Sequence, residues 1–532
     1  MKPGAAPAAP AGAQAGTPDG AWLRVHPASP FVRGWVALAA IGFFFFRDTF
    51  ERMLRGGPLI DQQLAGRAPW LLLGGGVLLL LTVLGYILSW YFTRYQVAEG
   101  YVRLNTGFLF KQQRQARLDR VQAIDIVQPL LARIFGLAEL KFEVADAGES
   151  AVRLAYLRMD EARQLRAAIL ARAAGVVPDP AHPGEAAAEA PEHTVLTVPP
   201  RRLIGSLVLS EQSVFIVVGG VVSVALSALT ENRSFYLFLI PAALGMAAAY
   251  WNAINRGYNF TAAISPDGIR LRYGLLDTQA QTLPPGRIQA LRVSQPPLWR
   301  IFGWYRIQVN VAGYGAAGVD GESSSRTTLL PVGKFPDVLT MLSLVLPDPG
   351  TPDPVGTFRA GITGIAGPDE TRGSAGEPGA DDAGFVTTPR RARLLAPLGW
   401  RRNGFTATDT ALLIRSGRWW RHLVVVPHQR TQSMALEQGP LARRFRVADL
   451  VLHTTAGPVS PRLIQAGLDE GRALLDAQAA RARAARKRQT SEHWLDQVRA
   501  LSAEPFQSGD PSRTAELSPT AEPNRQDDRQ HG

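Results

Sequence analysis

The sequence has 532 residues, of which 46% are apolar, and its 57 basic and 45 acidic side chains give a net charge of +12. This length allows three or four domains, and the positive charge favours anionic surroundings such as phospholipid headgroups or nucleic acid. Because the chain contains no cysteine, a disulfide framework, a thiolate nucleophile and a cysteine-ligated zinc site are excluded.

The N-terminal part of the chain predicts a membrane anchor behind a disordered segment. Residues 1–30 are rich in Ala, Pro and Gly, a composition typical of disorder. Two apolar runs then predict a first transmembrane hairpin over 31–92. The run at 68–92 has no charge and is long enough to cross about 30 Å of hydrocarbon. The run at 31–46 is shorter, so whether it spans fully is left open.

Two further apolar runs predict a second hairpin over 201–255. Residues 212–230 and 234–255 are uncharged and are separated by only three residues. The alternative, buried helices of a large soluble protein, is less favoured because a globular core seldom needs charge-free stretches of this length.

Basic residues at the ends of the spans predict the orientation. Six basic and two acidic residues lie between Phe92 and Arg120, whereas the loop from Arg47 to Arg67 holds four basic and three acidic ones. By the positive-inside rule, we expect both termini and all the regions outside the two hairpins, at 93–200 and after 255, to face the cytoplasm of a bacterial inner membrane.

One stretch recurs three times without a gap. Gly107 to Leu140 aligns with Gly274 to Ile307 and with Gly417 to Leu450, at offsets of 167 and then 143 residues. This spacing exceeds that of a solenoid repeat, so each copy is predicted to be a small domain. Six of the columns that are identical in all copies are Gly107/Gly274/Gly417, Arg120/Arg287/Arg430, Gln122/Gln289/Gln432, Gln128/Gln295/Gln438, Arg133/Arg300/Arg443 and Phe135/Phe302/Phe445.

Each copy has the pattern of a β-rich domain with a terminal helix. The stretch 268–274 alternates between two glycines, and 140–144 and 307–311 alternate after the shared motif. Between them, QPLLARIFG predicts a short helix, and 160–173 predicts a closing helix. The predicted boundaries are domain 1 over 93–173, linker 174–200, domain 2 over 256–346, disordered linker 347–392, domain 3 over 393–480, basic helix 481–503 and disordered tail 504–532.

The motif also carries a family resemblance. RVQAIDIVQPLLARIFGL, RIQALRVSQPPLWRIFGW and RTQSMALEQGPLARRFRV resemble the bacterial pleckstrin-homology-like (PH-like) domain of the YdbS/YdbT membrane-protein family. The third copy departs from the pattern, with Arg446 in the glycine column and Gly439 in place of Pro129 and Pro296. The resemblance implies an α+β membrane protein with four transmembrane helices in two hairpins and three PH-like β-barrel domains, each closed by a C-terminal helix.

The shared polar residues are interpreted as structural. An Arg and a Gln two residues apart share a strand face and can satisfy turn carbonyls or fix the neighbouring helix. The alternative is a ligand or headgroup site formed by Arg120 with Arg133, and by their counterparts. The shared phenylalanines are predicted to be core anchors.

Further basic residues leave two interpretations open. Lys111, Arg114 and Arg117 follow the first hairpin, and either they face anionic lipid or they express only the positive-inside bias. The run RARAARKR at 481–488 is interpreted as a solvated helix face, with a lipid or nucleic-acid contact as the alternative.

Catalytic signatures are missing from the sequence. No HExxH, P-loop, GxSxG or Rossmann motif is present. Asp119 and Asp125 could form a pair, but their counterparts in the second copy are Gly286 and Arg292. We therefore predict no catalytic, metal or cofactor site.

These observations favour a non-catalytic integral membrane scaffold whose PH-like domains bind proteins or assemble a complex. The alternative is sensing of anionic lipid or envelope stress through the basic faces of the domains, and a membrane enzyme is the remainder. Expected partners are membrane lipids, other membrane proteins and, as the resemblance implies, a smaller single-hairpin family member. A homo-oligomer is possible and no nucleic acid is expected.

Overall fold

The computed structural model describes residues 22–29, 32, 62–98, 101–107, 111–117, 121–144, 152–173, 193–230, 239–265, 268–284, 286–312, 327–364 and 384–487. Within these ranges the chain forms three copies of one unit, each with seven strands and a helix after the last strand. The predicted tail 504–532 and most of the predicted span 31–46 lie outside the described residues.

The first copy starts earlier than the sequence predicts. A strand at 22–24 pairs with residues 94–96, and the indole Nε1 of Trp90 donates to the carbonyl oxygen of Val25 over 3.0 Å. Val32, predicted to begin a membrane span, is buried against Leu137 and Tyr156 instead. These apolar side chains cover the domain core, so the prediction of disorder over 1–30 is wrong for 22–29.

The first copy has these elements: β1 Trp22–Arg24, α1 Gln62–Phe92, β2 Arg94–Ala98, β3 Tyr101–Thr106, β4 Gln112–Arg117, β5 Val121–Gln128, α2 Leu130–Ile134, β6 Leu137–Val144, β7 Val152–Arg158 and α3 Met159–Ala173. The predicted motif helix and closing helix correspond to α2 and α3. The core lies between the two groups of strands, where Leu104 and Phe142 pack with Ile169 of α3.

The second copy repeats this order of strands, and the structure describes three helices between its first and second strands. Its elements are β8 His193–Thr197, α4 Pro200–Val208, α5 Glu211–Thr230, α6 Leu239–Gly257, β9 Thr261–Ser265, β10 Gly268–Tyr273, β11 Thr278–Leu283, β12 Ile288–Gln295, α7 Trp299–Phe302, β13 Tyr305–Val311, β14 Thr328–Gly333 and α8 Phe335–Val345. Strand β8 pairs with β9, so residues assigned to the linker 174–200 belong to the second domain. The chain therefore enters the hydrophobic helices from inside the domain, between its first and second strands.

The third copy has a short connection where the second has long apolar helices. Its elements, preceded by α9 Pro354–Thr363, are β15 Val386–Thr387, a 3₁₀ helix Arg390–Leu394, β16 Gly404–Ala407, β17 Ala411–Ser416, β18 Arg421–Pro427, a 3₁₀ helix His428–Arg430, β19 Ser433–Glu437, α10 Pro440–Arg444, β20 Val447–His453, β21 Arg462–Gly467 and α11 Leu468–Lys487. Helix α9 and strand β15 lie in the predicted disordered linker 347–392. They are ordered because Phe358, Ile362 and Phe385 are buried, which a Gly- and Pro-rich composition conceals. Helix α11 continues past residue 480 into the predicted basic helix.

The three copies are not separate closed barrels. The strand orders are β1-β2-β3-β4, β7-β6-β5-β11-β10-β9-β8, β14-β13-β12-β18-β17-β16-β15 and β19-β20-β21. Each copy thus consists of a four-stranded half and a three-stranded half that pack face to face. The three-stranded half of one copy continues, edge to edge, into the four-stranded half of the next.

Two helical stretches in the described residues are long and apolar enough to cross a membrane. They are Leu73–Phe92, within α1, and Pro200–Thr230, over α4 and α5. Helix α6 packs against α5, where the hydroxyls of Ser213 and Tyr250 share a hydrogen bond, but it does not qualify by length and composition. The four predicted transmembrane helices are therefore not confirmed.

Candidate functional site

The shared motif meets its neighbours at two junctions. In the first junction β5 pairs with β11 antiparallel, with Gln128 opposite Thr278 and Ile126 opposite Ala280. In the second junction β12 pairs with β18, with Gln295 opposite Arg421 and Leu291 opposite Val425. A strand inside one repeat and a strand of the following repeat thus share a backbone ladder.

The two junctions have the same register. Adding 167 to Gln128 gives Gln295, and adding 143 to Thr278 gives Arg421, so both ladders bring the same two repeat positions together. Register in a sheet is fixed by side-chain pattern and local contacts, and a slip of one residue would reverse every side chain. Two matching registers show that the repeat encodes the junction as well as the domain.

The glutamine in the fourth motif column links the two sides. Gln128 Nε2 donates to the carbonyl of Leu137 in its own copy (3.0 Å), while its Oε1 accepts from the Thr278 hydroxyl of the next copy (3.4 Å). At the second junction, Gln295 Oε1 accepts from Nη1 of Arg421 over 3.4 Å. One amide therefore fixes the strand end and contacts the neighbour.

The arginine in the fifth column makes the second shared contact. Arg133 Nη1 donates to the carbonyl of Leu275 over 3.4 Å, and Arg300 Nη2 donates to the carbonyls of Arg418 and Trp419, the latter over 2.6 Å. Leu275 and Arg418 are equivalent positions, each directly after a motif glycine. The motif arginine thus satisfies a turn carbonyl, as its residue type suggests, but the turn belongs to the next copy.

The motif glycine shapes that turn. Gly274 and Gly417 have φ values of +123° and +75°, a region that side chains disfavour. A Cβ on Gly274 would collide with the carbonyl of Asp277, and one on Gly417 with that of Trp420. Gly107 has the same sign of φ, at +96°. Three of the six columns therefore serve the junction.

The remaining columns differ between copies. Gln289 is buried and donates to the Arg287 carbonyl over 3.2 Å, whereas Gln432 is exposed. Arg430 lies in a 3₁₀ helix, and burial lowers its pKa. Arg120 and the side chain of Gln122 lie outside the described residues, so a site joining Arg120 to Arg133 stays a prediction.

The prediction that the motif phenylalanines are core anchors is wrong for the first two copies. Phe135 is 53% exposed and Phe302 is 50% exposed, and Phe445 is half-buried. Phe302 stacks on Trp304 with ring centroids 4.8 Å apart. These rings follow a motif helix of five residues or fewer, which is too short to cover them.

The second junction contains contacts that the motif does not predict. Asn310 is fully buried on β13, and its amide donates to the carbonyl of Val459 (2.6 Å) and accepts from the Val459 amide (2.9 Å) in the third copy. Arg402 donates to the carbonyls of Gly361 (2.8 Å), Ile362 (2.7 Å) and Gly364. These are carbonyls at the C-terminal end of α9, where a cation also complements the helix dipole.

Positive charge is concentrated at the second junction. Burial, then Arg415, Arg421 and Arg300, lowers the pKa of Arg402 to about 9. Burial, followed by Arg292 and Arg402, lowers the pKa of His422 to about 4. No single-sequence pattern indicated this cluster, because its members come from different strands and loops.

The three candidate lipid-facing residues lie on or beside one edge strand. Lys111, Arg114 and Arg117 are all exposed along β4. Whether they face lipid stays a prediction. Within the described part of the chain, no group of three or more His, Asp or Glu side chains could hold a metal ion.

Comparison with known proteins agrees with the repeated unit. A family model described as "Bacterial PH domain" matches residues 53–173, 212–344 and 381–482, together more than half of the chain. The UPF0699 transmembrane protein YdbT of Bacillus subtilis (strain 168) is 20% identical over 281 residues, which are 48% of this chain and 57% of that relative. The chain is thus similar to a little over half of the relative's length. A family model that matches three times, each time on a copy found in the structure, shows that this chain belongs to the bacterial PH domain family.

Proposed function

We propose that the chain is a non-catalytic membrane scaffold that holds three PH-like domains in a fixed row. The observation that carries this proposal is the repeated junction, in which the same Gln and Arg columns join successive copies in the same register. Residues that recur in every copy are thereby used to connect domains. A rigid row offers several docking faces at fixed spacing, which a set of flexibly linked domains does not.

The domains are proposed to lie on the cytoplasmic side of a bacterial inner membrane, with both termini on that side. The excess of basic residues between Phe92 and Arg120 supports this orientation. Candidate partners are other membrane proteins, including a smaller single-hairpin member of the family, that bind to domain faces or strand edges.

Affinity purification of the intact protein from its native membrane tests the scaffold function. We expect one or more membrane proteins to co-purify in constant ratio, and to be lost when Arg300→Ala and Gln295→Ala are combined to weaken the second junction. Arg444→Ala, an exposed residue outside the shared columns, is the control. Recovery of no stoichiometric protein partner, in detergent or in nanodiscs, would contradict the scaffold.

Binding of anionic lipid is a second candidate function, because positive charge collects at the second junction. The buried Arg402 lies near Arg415, Arg421 and Arg300, and an anionic headgroup at the partly exposed Arg300 and Arg421 would reduce the repulsion among these cations. The intact protein in nanodiscs of graded anionic content tests this. Retention of anionic lipid by the purified protein, and its loss in Arg421→Gln, would support lipid binding. Equal retention of neutral lipid would oppose it.

A further inference from the structure

The row of three copies has one open strand edge at each end. These two edges are equivalent, by the repeat, to the two strands that pair with each other at each internal junction. Strand β4 of the first copy is the counterpart of β11 and β18, and β19 of the third copy is the counterpart of β5 and β12. Among the described strands, neither β4 nor β19 has a partner on its outer edge. An unpaired edge presents backbone donors and acceptors that another strand can use.

The two end strands are uncovered where their counterparts are covered. Every residue of β4 whose side chain is described is exposed, whereas β11 and β18 contain no exposed residue. Strand β19 has a half-buried centre and exposed ends, whereas β12 has six buried residues among its eight. The difference follows from the presence or absence of a neighbouring copy.

The shared register aligns the two end strands without adjustment. When the register of the internal junctions is moved to the end strands by the repeat offsets of 167 and 143 residues, Gln438 lies opposite Lys111, Glu437 opposite Gln112 and Ala435 opposite Arg114. The pairing is antiparallel, as at both internal junctions. It joins β19 of one molecule to β4 of another and is a head-to-tail contact.

The third copy already carries the shared side chains in the junction arrangement. Gln438 Nε2 donates to the Val447 carbonyl over 2.9 Å, as Gln128 does to Leu137, which leaves Oε1 for the Lys111 ammonium of a second molecule. The Arg443 guanidinium is exposed and meets no acceptor within the part of the chain that the structure describes. Its counterparts Arg133 and Arg300 both donate to the following copy.

The two end strands carry complementary charges at positions where the internal junctions do not. Glu437 stands where the internal junctions have Val127 and Ser294. On the opposite side, Arg114 stands where the internal junctions have Gln281 and Val424. In the transferred register Arg114 is diagonal to Glu437 on the same face, a distance that long side chains can bridge. The cations on β4 also repel a second β4, which disfavours a symmetric pairing of like edges.

We propose that a second copy of this chain occupies the open edge, so that molecules assemble head to tail through β19 and β4. This inference rests on the proposed scaffold function and names one partner for it. A strand pair with a few side-chain contacts is a small interface, but confinement of both molecules to one membrane raises their effective concentration.

Disulfide trapping in native membranes tests the pairing, because the chain has no cysteine of its own. Gln112→Cys and Glu437→Cys are placed on two differently tagged, co-expressed chains. After mild oxidation we expect a covalent dimer that carries both tags, with the 112–437 peptide identified by mass spectrometry. Val127→Cys with Gln279→Cys, the equivalent pair at the first junction, is the positive control within one molecule.

The register gives a matched negative control. Gln113→Cys lies one residue away on the other face of the strand, so its yield with Glu437→Cys should be at least about tenfold lower. Absence of the 112–437 bond while 127–279 closes would overturn the proposal, as would dominant 112–112 or 437–437 products. Capture of a different protein by Glu437→Cys in place of the 112–437 bond would overturn self-pairing and leave the scaffold function intact.

A second pair of variants tests the motif side chain directly. Arg443→Ala, in the cysteine background, should reduce the 112–437 yield about threefold or more, because its counterparts bind the next copy. Arg444→Ala removes a neighbouring exposed arginine outside the shared columns and should leave the yield unchanged. Equal yields from Arg443→Ala and the parent would show that the internal junction does not recur between molecules.

Discussion

The first and second junctions share a register but differ in how many residues they pair and bury. Three residue pairs join β5 to β11, whereas five pairs join β12 to β18. At the second junction the fully buried Asn310 of the second copy also bonds both backbone groups of Val459 in the third copy. The difference indicates that the motif fixes the register between copies. Residues outside the motif determine how stable the contact between the copies is.

The junctions also differ in charge. Thr278 and Gln279 of the first junction are replaced in the second by Arg421 and His422. Burial and then the neighbouring Arg292 and Arg402 lower the pKa of His422, so the second junction holds a titratable base in a cationic, partly buried site. The two junctions should therefore respond differently to side-chain removal and to acid.

The largest effect is expected from Asn310→Ala. It removes a buried amide that bonds both the N–H and the carbonyl of Val459, and leaves those groups unsatisfied, for a loss of about 3 kcal/mol in unfolding free energy. Thr282→Val at the first junction removes one bond from Arg166 and should cost about 1 kcal/mol. Thermal denaturation of the full chain in detergent measures both. Equal losses of unfolding free energy from the two variants would contradict the conclusion that the second junction is the more extensively bonded one.

Acid should weaken the second junction selectively. The pKa of His422 in the folded state, about 4, is below the ordinary histidine value of 6.5, so between these pH values the unfolded chain binds a proton that the folded chain does not. The contribution of neutral His422 to the free energy of unfolding is therefore complete above pH 6.5 and is lost as the pH falls towards 4. The expected loss is up to about 2 kcal/mol after allowance for the partial exposure of the side chain.

The variant His422→Gln isolates this effect, because it installs the residue type that the first junction has at Gln279. The difference in denaturation midpoint between the wild type and His422→Gln should change as pH falls from 7 to 4. Carboxylates that titrate in both proteins cancel in this difference. A pH-independent difference would contradict the electrostatic contrast between the junctions.

The repeated motif could be predicted from the sequence because its residues act at short range. The alternation at 268–274, the short helix after Pro129 and the closing helix at 160–173 follow from local periodicity, and all three are present. Family membership followed from the same motif.

The connection between copies could not be predicted, because a strand sequence does not state which edge its neighbour will occupy. Gln128 and Thr278 are 150 residues apart, and no periodicity relates them. The insertion of α5 and α6 after β8 was missed for a similar reason, since a five-residue strand before a long apolar run resembles a linker. Asn310 and Arg402 gave no signal, because most of their partners are backbone groups far away in the sequence.

The motif arginine should contribute more at the second junction than at the first. Arg300 bonds two carbonyls and Arg133 bonds one over 3.4 Å. We expect Arg300→Ala to lower the unfolding free energy by about 1 kcal/mol and Arg133→Ala by about 0.5 kcal/mol or less. The loss expected for Arg300→Ala is limited because this substitution also removes the repulsion between Arg300 and Arg421. A larger loss from Arg133→Ala, in the same denaturation assay, would reverse the order of the junctions.

A last contrast concerns the turn after the motif helix, which both internal junctions build with glycine and the open end builds with arginine. Gly136, Gly303 and Arg446 have φ values of +65°, +62° and +51°, so the third copy keeps the left-handed turn without the residue that adopts it freely. A Cβ on Gly303 would meet no atom within 4 Å, and Gly303→Ala therefore measures the backbone alone, a loss of about 1 kcal/mol. Arg446→Gly is the reverse change and should raise the denaturation midpoint, by about 0.5–1 kcal/mol in free energy. If Arg446→Gly lowered the midpoint instead, the exposed Arg446–Asp469 pair at 3.7 Å would have to outweigh the backbone strain, which surface ion pairs seldom do.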